Sequence, residues 1–419
     1  MRVLMLTYRF PYPPDRGDKV RPYHFARMMA GQHEVHLLTF GRKGSSDASQ
    51  LDQIFASITE VPFSRLRANL HLAPALLRGQ ALQLAYFDQA RMHGAVRAAV
   101  HRLEPDVIYA YHLRMAPYLA PHKRSHRVLD LVDAVSLFMT RMMPHAPRSQ
   151  RPLLRRELPL IRSLERGWAK FAEEAWLSSP VDLAALPQEA RSGPVIVVPN
   201  GVDAAAFRPL VPHERRAGLL FVGYMGAESQ DALAWFCERV LPRVRHMLGR
   251  PVELRIVGAN APARIRRLTK MAGVQVEGFV GDLCAAYNQA AVLIAPMRFV
   301  AGIQNKVLEA MACETAVVAT PYANEGIEAR AGEQIEIAET AGEFAAKTAR
   351  LLEDTDRRRQ IARAARTFVA QRFRWDVVLD RLGEIENLLV ARREHGREDR
   401  SAAPSLAPQE LQAAGPARA

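Results

Sequence analysis

One stretch of the sequence combines a cation, a carboxylate and a helix start. It reads AGIQNKVLEAMACETAVVATP over residues 301–321, with Gly302 opening a predicted helix and with Lys306 and Glu309 three residues apart. That spacing places both charged side chains on one helix face. The free N–H groups and dipole of a helix start bind anions, and a carboxylate can accept two vicinal hydroxyls. The stretch predicts a nucleoside diphosphate site, with a plain surface salt bridge as the alternative.

Three further candidates follow predicted strands. Gly17 lies in RFPYPPDRGDKVRP, where it either lets the loop approach a ligand or forms a surface turn. His112 directly follows DVIYAY and either contacts a substrate or serves the fold. Asp133 ends LDLVD and could bind an acceptor hydroxyl or act as a base, unless it caps the helix that begins at Ala134. The sequence leaves these alternatives open.

Neither the aspartates nor the cysteines indicate a metal site. Asp354 and Asp356 superficially form a DxD motif, but they precede RRRQIARAARTF, and capping of that helix explains them better. Cys237, Cys284 and Cys313 are widely spaced and odd in number, so they indicate neither a disulfide framework nor a metal site. We predict no metal, no cofactor and a reducing cytoplasmic compartment.

Alternating strands and helices indicate how the candidates are positioned. Continuous apolar runs separated by helical segments predict two parallel sheets, each covered on both faces. The predicted strands of the first sheet cover residues 2–8, 33–41, 106–111, 127–133 and 174–179. Those of the second sheet cover residues 218–226, 252–258, 274–281, 291–296 and 315–321. Ligands of such sheets bind at the carboxyl ends of the strands, where the candidate residues lie.

The chain length of 419 residues exceeds one ordinary core, so we expect two domains. The predicted fold class is α/β, with two Rossmann-like, doubly wound domains facing across a cleft. The first domain is predicted over residues 1–193 and the second over residues 194–373. A C-terminal helix over residues 374–394 is expected to pack back on the first domain, and a disordered tail over residues 395–419 to follow it.

The net charge of +13 calls for an anionic partner or surface, with arginine bias of a GC-rich genome as the alternative. No nucleic-acid recognition pattern accompanies the basic residues, so nucleic acid is not an expected partner. The N-terminal run MRVLMLTYRFPYPP does not have the features of a signal peptide, and no stretch is long enough to span a membrane as a helix. We therefore expect a cytoplasmic protein.

One basic amphipathic segment predicts contact with a membrane surface. SRLRANLHLAPALLRG, residues 64–79, alternates arginines with apolar residues at helical spacing, as an interfacial helix does. The segments LRREL and RSLERGWAKF extend a basic surface. An amphipathic core helix with a solvated face is the alternative. On the first interpretation the protein is peripheral on the inner face of the plasma membrane.

Several of these motifs together resemble a known family. The run from VVPNGVD through AYNQAAVLIAPMRFVAGIQNKVLEAMACETAVVATP resembles the donor domain of glycosyltransferase family 4, which comprises retaining transferases of the GT-B fold. The stretches LTYRFPYPPDRGDKVRPYHFA and GIQNKVLEAMA resemble the sugar transferases associated with PEP-CTERM/exosortase exopolysaccharide loci. The resemblance covers nearly the whole chain before the predicted tail.

The resemblance implies roles for individual residues. Glu309 matches the family's glutamate that binds the nucleotide ribose, and His112 matches the active-site histidine that contacts the reacting sugar. A glycine at the position of Gly17 lets its loop approach the donor phosphates and the acceptor. The predicted catalytic residues are His112, Lys306 and Asp133. The predicted donor-binding residues are Gly17, Gly223, Phe279, Val280, Arg298, Gly302, Ile303, Gln304, Asn305 and Glu309.

The sequence departs from the family pattern in two places. Ala301 stands where the family has its first glutamate, which contacts the donor sugar. VGYMGAESQD, residues 222–231, lacks the cations that usually follow the first strand of the donor domain, so Lys306 and Arg298 would neutralise the diphosphate. The backbone N–H groups of residues 302–304 are expected to bind phosphate and sugar, and Phe279 and Val280 to lie where the family's backbone pairs with the nucleobase.

The resemblance implies a metal-independent, retaining glycosyltransferase. Its substrate would be a nucleotide-diphosphate sugar and its acceptor polyprenyl-linked or glycan, in exopolysaccharide or cell-envelope glycan synthesis. No carboxylate stands out as a nucleophile, so we expect a front-face reaction in which the departing diphosphate takes the acceptor proton. The alternatives are a nucleotide-sugar epimerase of similar architecture and an inactive nucleotide-sugar-binding homologue. RVLMLTYRFPYPPDRG lacks the GxGxxG spacing of an NAD-dependent dehydrogenase.

Overall fold

Two parallel β-sheets organise the chain. The structure is a computed structural model that describes residues 1–41 and 51–380. The strands of the first sheet are β1 (Arg2–Thr7), β2 (Glu34–Phe40), β3 (Ser57–Val61), β4 (Val107–Tyr111), β5 (His126–Val132), β6 (Glu174–Leu177) and β7 (Val195–Val197). Their order is β3-β2-β1-β4-β5-β6-β7, and every neighbouring pair is parallel. The order reverses between β1 and β4, which is where such sheets bind ligands.

Helices cover the first sheet on both faces. They are α1 (Gly17–Met29), α2 (Arg65–Leu77), α3 (Leu82–Phe87), α4 (Ala90–Leu103), α5 (Val135–Met142), α6 (Arg151–Arg166), α7 (Pro180–Ala185) and α8 (Gln188–Arg191). Because both faces are covered, the central strands consist almost entirely of buried residues such as Leu6, Ile108 and Leu129.

The second sheet repeats the arrangement with six parallel strands. They are β8 (Ala217–Val222), β9 (Leu254–Val257), β10 (Val274–Gly278), β11 (Ala290–Ala295), β12 (Ala316–Ala319) and β13 (Glu336–Ile337). Their order is β10-β9-β8-β11-β12-β13, so the reversal lies between β8 and β11. The helices are α9 (Ala227–Trp235), α10 (Leu241–Leu248), α11 (Ala263–Arg266), α12 (Leu283–Gln289), α13 (Asn305–Ala312), α14 (Pro321–Asn324), α15 (Ala341–Glu353) and α16 (Thr355–Arg372).

The predicted α/β class with two doubly wound sheets is confirmed. The boundary between the halves lies later than residue 193, because strand Val195–Val197 pairs with β6 and so belongs to the first sheet. Short edge strands β3 and β13 carry too little apolar sequence to be predicted. Asp354 caps α16, as predicted, since its side chain accepts the Arg357 N–H at 2.8 Å.

The chain returns to the first half at Trp375. Its indole stacks on His24 of α1, with 4.6 Å between ring centroids, and meets Phe25 edge-on at 5.8 Å. The predicted helix over residues 374–394 lies only partly within the described chain, where residues 375–380 are helical. Its remainder and the predicted tail over residues 395–419 lie outside the described residues. In the part of the chain described here, none of the helices has the length and hydropathy of a membrane-spanning segment.

Candidate functional site

A cleft of 510 Å³ lies where the carboxyl ends of the two sheets meet. Residues that directly follow strands of both sheets line it, among them His112 after β4, Asp133 after β5 and Gly223 after β8. The volume falls within the range of small-molecule sites, which is roughly 300–1,000 Å³. The cleft is therefore large enough for a nucleotide-sized ligand.

Most of the predicted site residues line this cleft. They are Gly17, His112, Asp133, Gly223, Phe279, Val280, Ile303, Gln304, Asn305, Lys306 and Glu309. Arg298 and Gly302 do not line it. The guanidinium of Arg298 instead pairs with Asp231, with 2.7 Å from Nε to Oδ2, so its charge is already neutralised.

The helix start that was predicted to bind an anion differs in detail from its predicted form. Helix α13 begins at Asn305, with Gln304 as its N-cap, whereas the sequence predicted that Gly302 opens it. Gly302 precedes the helix at φ +66°, and its N–H donates to Asp182 Oδ2 at 3.1 Å. That N–H is therefore occupied. The backbone N–H groups of residues 303–306 have no acceptor within the described chain and remain available to an anion.

Lys306 is a cation without a counterion. No carboxylate of the described residues lies within 4.0 Å of its Nζ, which sits 5.2 Å from the Phe221 ring centroid and 3.7 Å from Met297 Sδ. Burial lowers the pKa of Lys306 to about 8, although Glu228 and Glu309 oppose that shift. An anionic ligand in the cleft would supply the missing countercharge.

Glu309 is likewise free of any cation within 4.0 Å in the described chain. Its Oε2 accepts a hydrogen bond from the Tyr287 hydroxyl at 2.7 Å. Burial raises the pKa of Glu309, while the Tyr287 hydrogen bond and the charge of Lys306 lower it. The simple Lys306–Glu309 salt bridge that was the alternative interpretation is not formed. The carboxylate can therefore accept hydroxyl groups from a ligand.

His112 is held as a neutral hydrogen-bond donor. Its Nδ1 accepts the Arg114 N–H at 3.3 Å, so the ring proton is on Nε2. Burial and the charge of Arg114 lower the pKa of His112, which keeps the ring neutral at physiological pH. The backbone of His112 has φ +75° and ψ 148°, a region that is almost restricted to glycine. Such strain is typical of residues that a fold holds in place at a binding site.

Asp133 does not cap the following helix. The N-cap of α5 is Ala134, which makes no side-chain capping bond, whereas Asp133 Oδ1 accepts from Ser178 Oγ at 3.0 Å. Burial and the neighbouring Asp182 raise the pKa of Asp133 to about 7. The loop of the second half packs against this carboxylate, because a Cβ on Gly302 would lie 1.8 Å from Asp133 Oδ1. Only glycine leaves room for that approach.

Two arginines of the cleft were missed from the sequence. Arg16, in the loop after β1, places its guanidinium 4.0 Å from the ring centroid of Tyr224, which follows β8 in the second half. Arg114 lies over the Tyr8 ring at 4.9 Å. Residues 222–231 lack the cations that the family pattern has there, and Arg16 of the first half supplies one at that place, with its Nε 3.4 Å from Asp18 Oδ1. The only sequence signal was its position next to Gly17.

A buried hydrogen-bond chain ties the first sheet to the start of α13. Arg21 and Asp130, both fully buried, pair with 2.6 Å between Nε and Oδ2. Arg21 Nη1 donates to Asn200 Oδ1 at 3.1 Å, and Asn200 Nδ2 donates to Asn305 Oδ1 at 3.0 Å. Residues of the first half thereby fix the side chain of the first residue of α13.

Across the described chain, no group of three or more His, Cys, Asp or Glu residues is arranged to hold a metal ion.

Comparison with known proteins identifies the architecture. Residues 216–354 match the family described as Glycosyl transferases group 1. No curated protein sequence matches the chain significantly. Among solved structures, sucrose-phosphate synthase from Thermosynechococcus elongatus is 15% identical, with a TM-score of 0.71 over 93% of this chain and 99% of that one. Anabaena HepE, solved with UDP and glucose, is 17% identical, with a TM-score of 0.65 over 92% and 99%.

A further match is α,α-trehalose 6-phosphate synthase from Burkholderia multivorans, at 13% identity, with a TM-score of 0.63 over 93% of this chain and 99% of that one. At these identities the structural likeness establishes the fold, which is GT-B as the sequence resemblance implied. Together with the group 1 match over residues 216–354, it supports a glycosyltransferase.

Proposed function

We propose that this protein is a metal-independent, retaining glycosyltransferase that uses a nucleotide-diphosphate sugar as donor. The observation that carries the proposal is the pair Lys306 and Glu309, which lacks countercharges and lies beside the free amide groups of residues 303–306. The likeness of residues 216–354 to group 1 glycosyl transferases supports it. So does Anabaena HepE, a structural neighbour that was solved with UDP-glucose.

In this proposal, the second half of the chain holds the donor. The amides of residues 303–306 and the ammonium of Lys306 bind the diphosphate, and Glu309 accepts the two ribose hydroxyls. Arg16 adds a second cation from the first half. The exposed Phe279, which follows β10 and lines the cleft, provides an apolar surface next to the position proposed for the nucleobase.

The reaction depends on stabilising the leaving group. Charge develops on the diphosphate as the glycosidic bond breaks, and Lys306 with the free amides is preorganised to stabilise it, with each such donor worth about 2.7–4 kcal/mol. His112 donates from Nε2 to the reacting sugar. Asp133, with a pKa of about 7, contacts the acceptor hydroxyl. No carboxylate is assigned as a nucleophile in this proposal, so the reaction takes a front-face route with retention in which the departing diphosphate accepts the proton of the acceptor hydroxyl.

The acceptor is proposed to be a polyprenyl-linked or glycan molecule. The support is the resemblance of LTYRFPYPPDRGDKVRPYHFA and GIQNKVLEAMA to sugar transferases of PEP-CTERM/exosortase loci. On this support we propose a role in exopolysaccharide or cell-envelope glycan synthesis, at the cytoplasmic face of the plasma membrane.

One feature favours a second candidate, an inactive nucleotide-sugar-binding homologue. Ala301 lines the cleft where the family pattern has a glutamate that contacts the donor sugar. A protein without that contact would bind the nucleotide through Glu309 and Lys306 but would not turn over. A nucleotide-sugar epimerase would instead convert free donor without any acceptor.

Incubation with UDP-, GDP- and ADP-sugars separates these functions. The transferase should release nucleoside diphosphate from one donor, slowly with water and faster with a lipid-linked acceptor, and Glu309→Ala should abolish the release. The exposed Glu339→Ala on the same half is the matched control and should behave as wild type. Binding without release would favour the inactive homologue, and conversion of the free sugar nucleotide would favour the epimerase. Absence of both binding and release would refute the proposal.

A further inference from the structure

Helix α2 (Arg65–Leu77) exposes most of its leucines and buries two of its alanines. Leu66, Leu70 and Leu77 are 72%, 64% and 88% exposed, whereas Ala68 and Ala75 are buried. The spacings of four and seven residues place the three leucines in one stripe along the helix. A core helix would show the opposite arrangement. An apolar stripe of this kind marks a site of interaction with a partner or a membrane.

The charged side chains of the helix are all positive. Residues 61–87 contain no Asp or Glu, and Arg65, Arg67 and Arg78 are all exposed. Long arginine side chains beside exposed leucines match an anionic lipid surface, because the leucines enter the acyl boundary while the guanidinium groups reach the headgroups. An acidic protein surface would meet the same arginines but would not require the outward leucines.

Helix α6 (Arg151–Arg166) extends the same charge pattern. Its two acidic residues, Glu157 and Glu165, are buried and bound, the first to the Leu82 N–H at 2.8 Å and the second to the Ser136 N–H at 2.9 Å. The exposed charges of this helix are therefore all arginines.

Arg156 of α6 also joins the two helices. Its Nη2 donates to the carbonyl groups of Ala75, Leu76 and Gln80 at 3.2, 3.1 and 3.0 Å. This fixes the end of α2 against α6, and the exposed Leu153 lies one turn before Arg156. The leucine stripe and the arginine-rich helix thus form one neighbouring surface rather than two separate ones.

We infer that helices α2 and α6 of the first half dock on an anionic phospholipid bilayer, with Leu66, Leu70 and Leu77 inserted into the headgroup boundary. The surface is separate from the donor-binding residues, so the inference does not depend on glycosyl transfer. It deepens the proposed function by giving the protein a position from which a membrane-bound acceptor can reach the cleft.

Sedimentation of the full chain with vesicles tests the inference directly. Wild type should bind vesicles that contain phosphatidylglycerol and should bind phosphatidylcholine vesicles much more weakly, with affinity falling as salt rises. The variant Leu66→Ser/Leu70→Ser/Leu77→Ser should lose about tenfold or more of the binding, since each leucine buries several methylene groups. Arg65→Gln/Arg78→Gln should lose binding only to the anionic vesicles.

The matched control is Leu210→Ser/Met247→Ser, which removes exposed apolar side chains of the second half and should leave vesicle binding unchanged. Thermal unfolding of each variant verifies that it is folded, as expected for substitutions at exposed positions. Equal vesicle binding by wild type and the triple leucine variant would overturn the inference. So would light scattering that shows a dimer of wild type and a monomer of that variant, because the stripe would then be a protein interface.

Discussion

The two walls of the cleft differ in how their charged groups are satisfied. Behind the wall from the first sheet, the buried Arg21 pairs with Asp130, and in the wall Asp133 accepts a hydrogen bond from Ser178. On the wall from the second sheet, Lys306 and Glu309 have no countercharge within the described chain. The buried charges of Arg21 and Asp130 thus neutralise each other, whereas Lys306 and Glu309 have no partner of opposite charge within 4.0 Å in the described chain. Substitution of Arg21 should therefore reduce stability, and substitution of Lys306 or Glu309 should reduce function.

The largest expected effect is on stability, from Arg21→Met. Removing one partner of a fully buried ion pair leaves the other charge unpaired, which costs about 3–5 kcal/mol. Denaturant unfolding should show that loss in the free energy of unfolding. Arg330→Met breaks the exposed Arg330–Glu333 pair and is the control, with an expected change below about 1 kcal/mol. Similar small changes in the free energy of unfolding of both variants would contradict the expectation that the buried Arg21–Asp130 pair stabilises the fold.

Lys306→Ala should have the next largest effect, and on turnover rather than stability. Loss of a preorganised cation at the leaving group lowers kcat by about 10²–10³-fold, with a smaller change in donor binding. The free energy of unfolding should not fall, because the lysine is a buried cation without a counterion. Steady-state kinetics and denaturant unfolding of the same preparation measure both quantities, with the exposed Lys270→Ala as control. A large loss of stability with unchanged kcat would contradict the expectation that Lys306 serves turnover rather than the fold.

Glu309→Gln should weaken donor binding through the ribose. Hydrogen bonds to a charged group are each worth about 1.5–3 kcal/mol, so the nucleoside diphosphate should bind at least tenfold more weakly. Calorimetry with a 2′,3′-dideoxy nucleoside diphosphate supplies the control, since a ligand without these hydroxyls should bind wild type and variant equally. A variant that weakens both ligands to the same extent would place Glu309 away from the ribose.

The smallest effect is a pH dependence set by Lys306. Its pKa is lowered from 10.5 to about 8, so the folded protein loses this charge as pH rises above 8. We expect kcat/KM to fall there by up to about tenfold per pH unit, and Lys306→Arg to move that limb to higher pH. Stability changes in the opposite direction. Between pH 8 and 10.5 the unfolded chain binds more protons than the folded one, so the free energy of unfolding rises with pH. An unchanged alkaline limb in Lys306→Arg would assign it to another group.

What the sequence could predict are the features formed by residues that are close together in the chain. The helix start, Lys306 and Glu309 are contiguous, so helical periodicity alone predicts that they share one face. The central strands are also predictable, because they are continuous apolar runs, whereas the short edge strands β3 and β13 are not. His112 and Asp133 could be proposed as candidates because strand ends of a parallel sheet meet at one edge.

The remaining features depend on residues far apart in the chain. Arg298 is removed from the cleft by Asp231, which lies 67 positions earlier. The N–H of Gly302 is taken by Asp182, 120 positions away. Arg16 enters the cleft because its loop approaches Tyr224 across the two halves. No local pattern encodes such pairings, so only the folded chain reveals them.

If the proposed donor binds in the cleft, the position of Arg16 gives the diphosphate a contact with the first half as well as with the second. A diphosphate beside Lys306 and Arg16 would be held by one cation from each sheet, so its affinity includes the free energy of keeping the halves together. By thermodynamic linkage, donor binding of this kind would oppose separation of the halves by the same free energy by which separation would weaken donor binding. Through Arg16, donor affinity would therefore depend on the arrangement of the two halves.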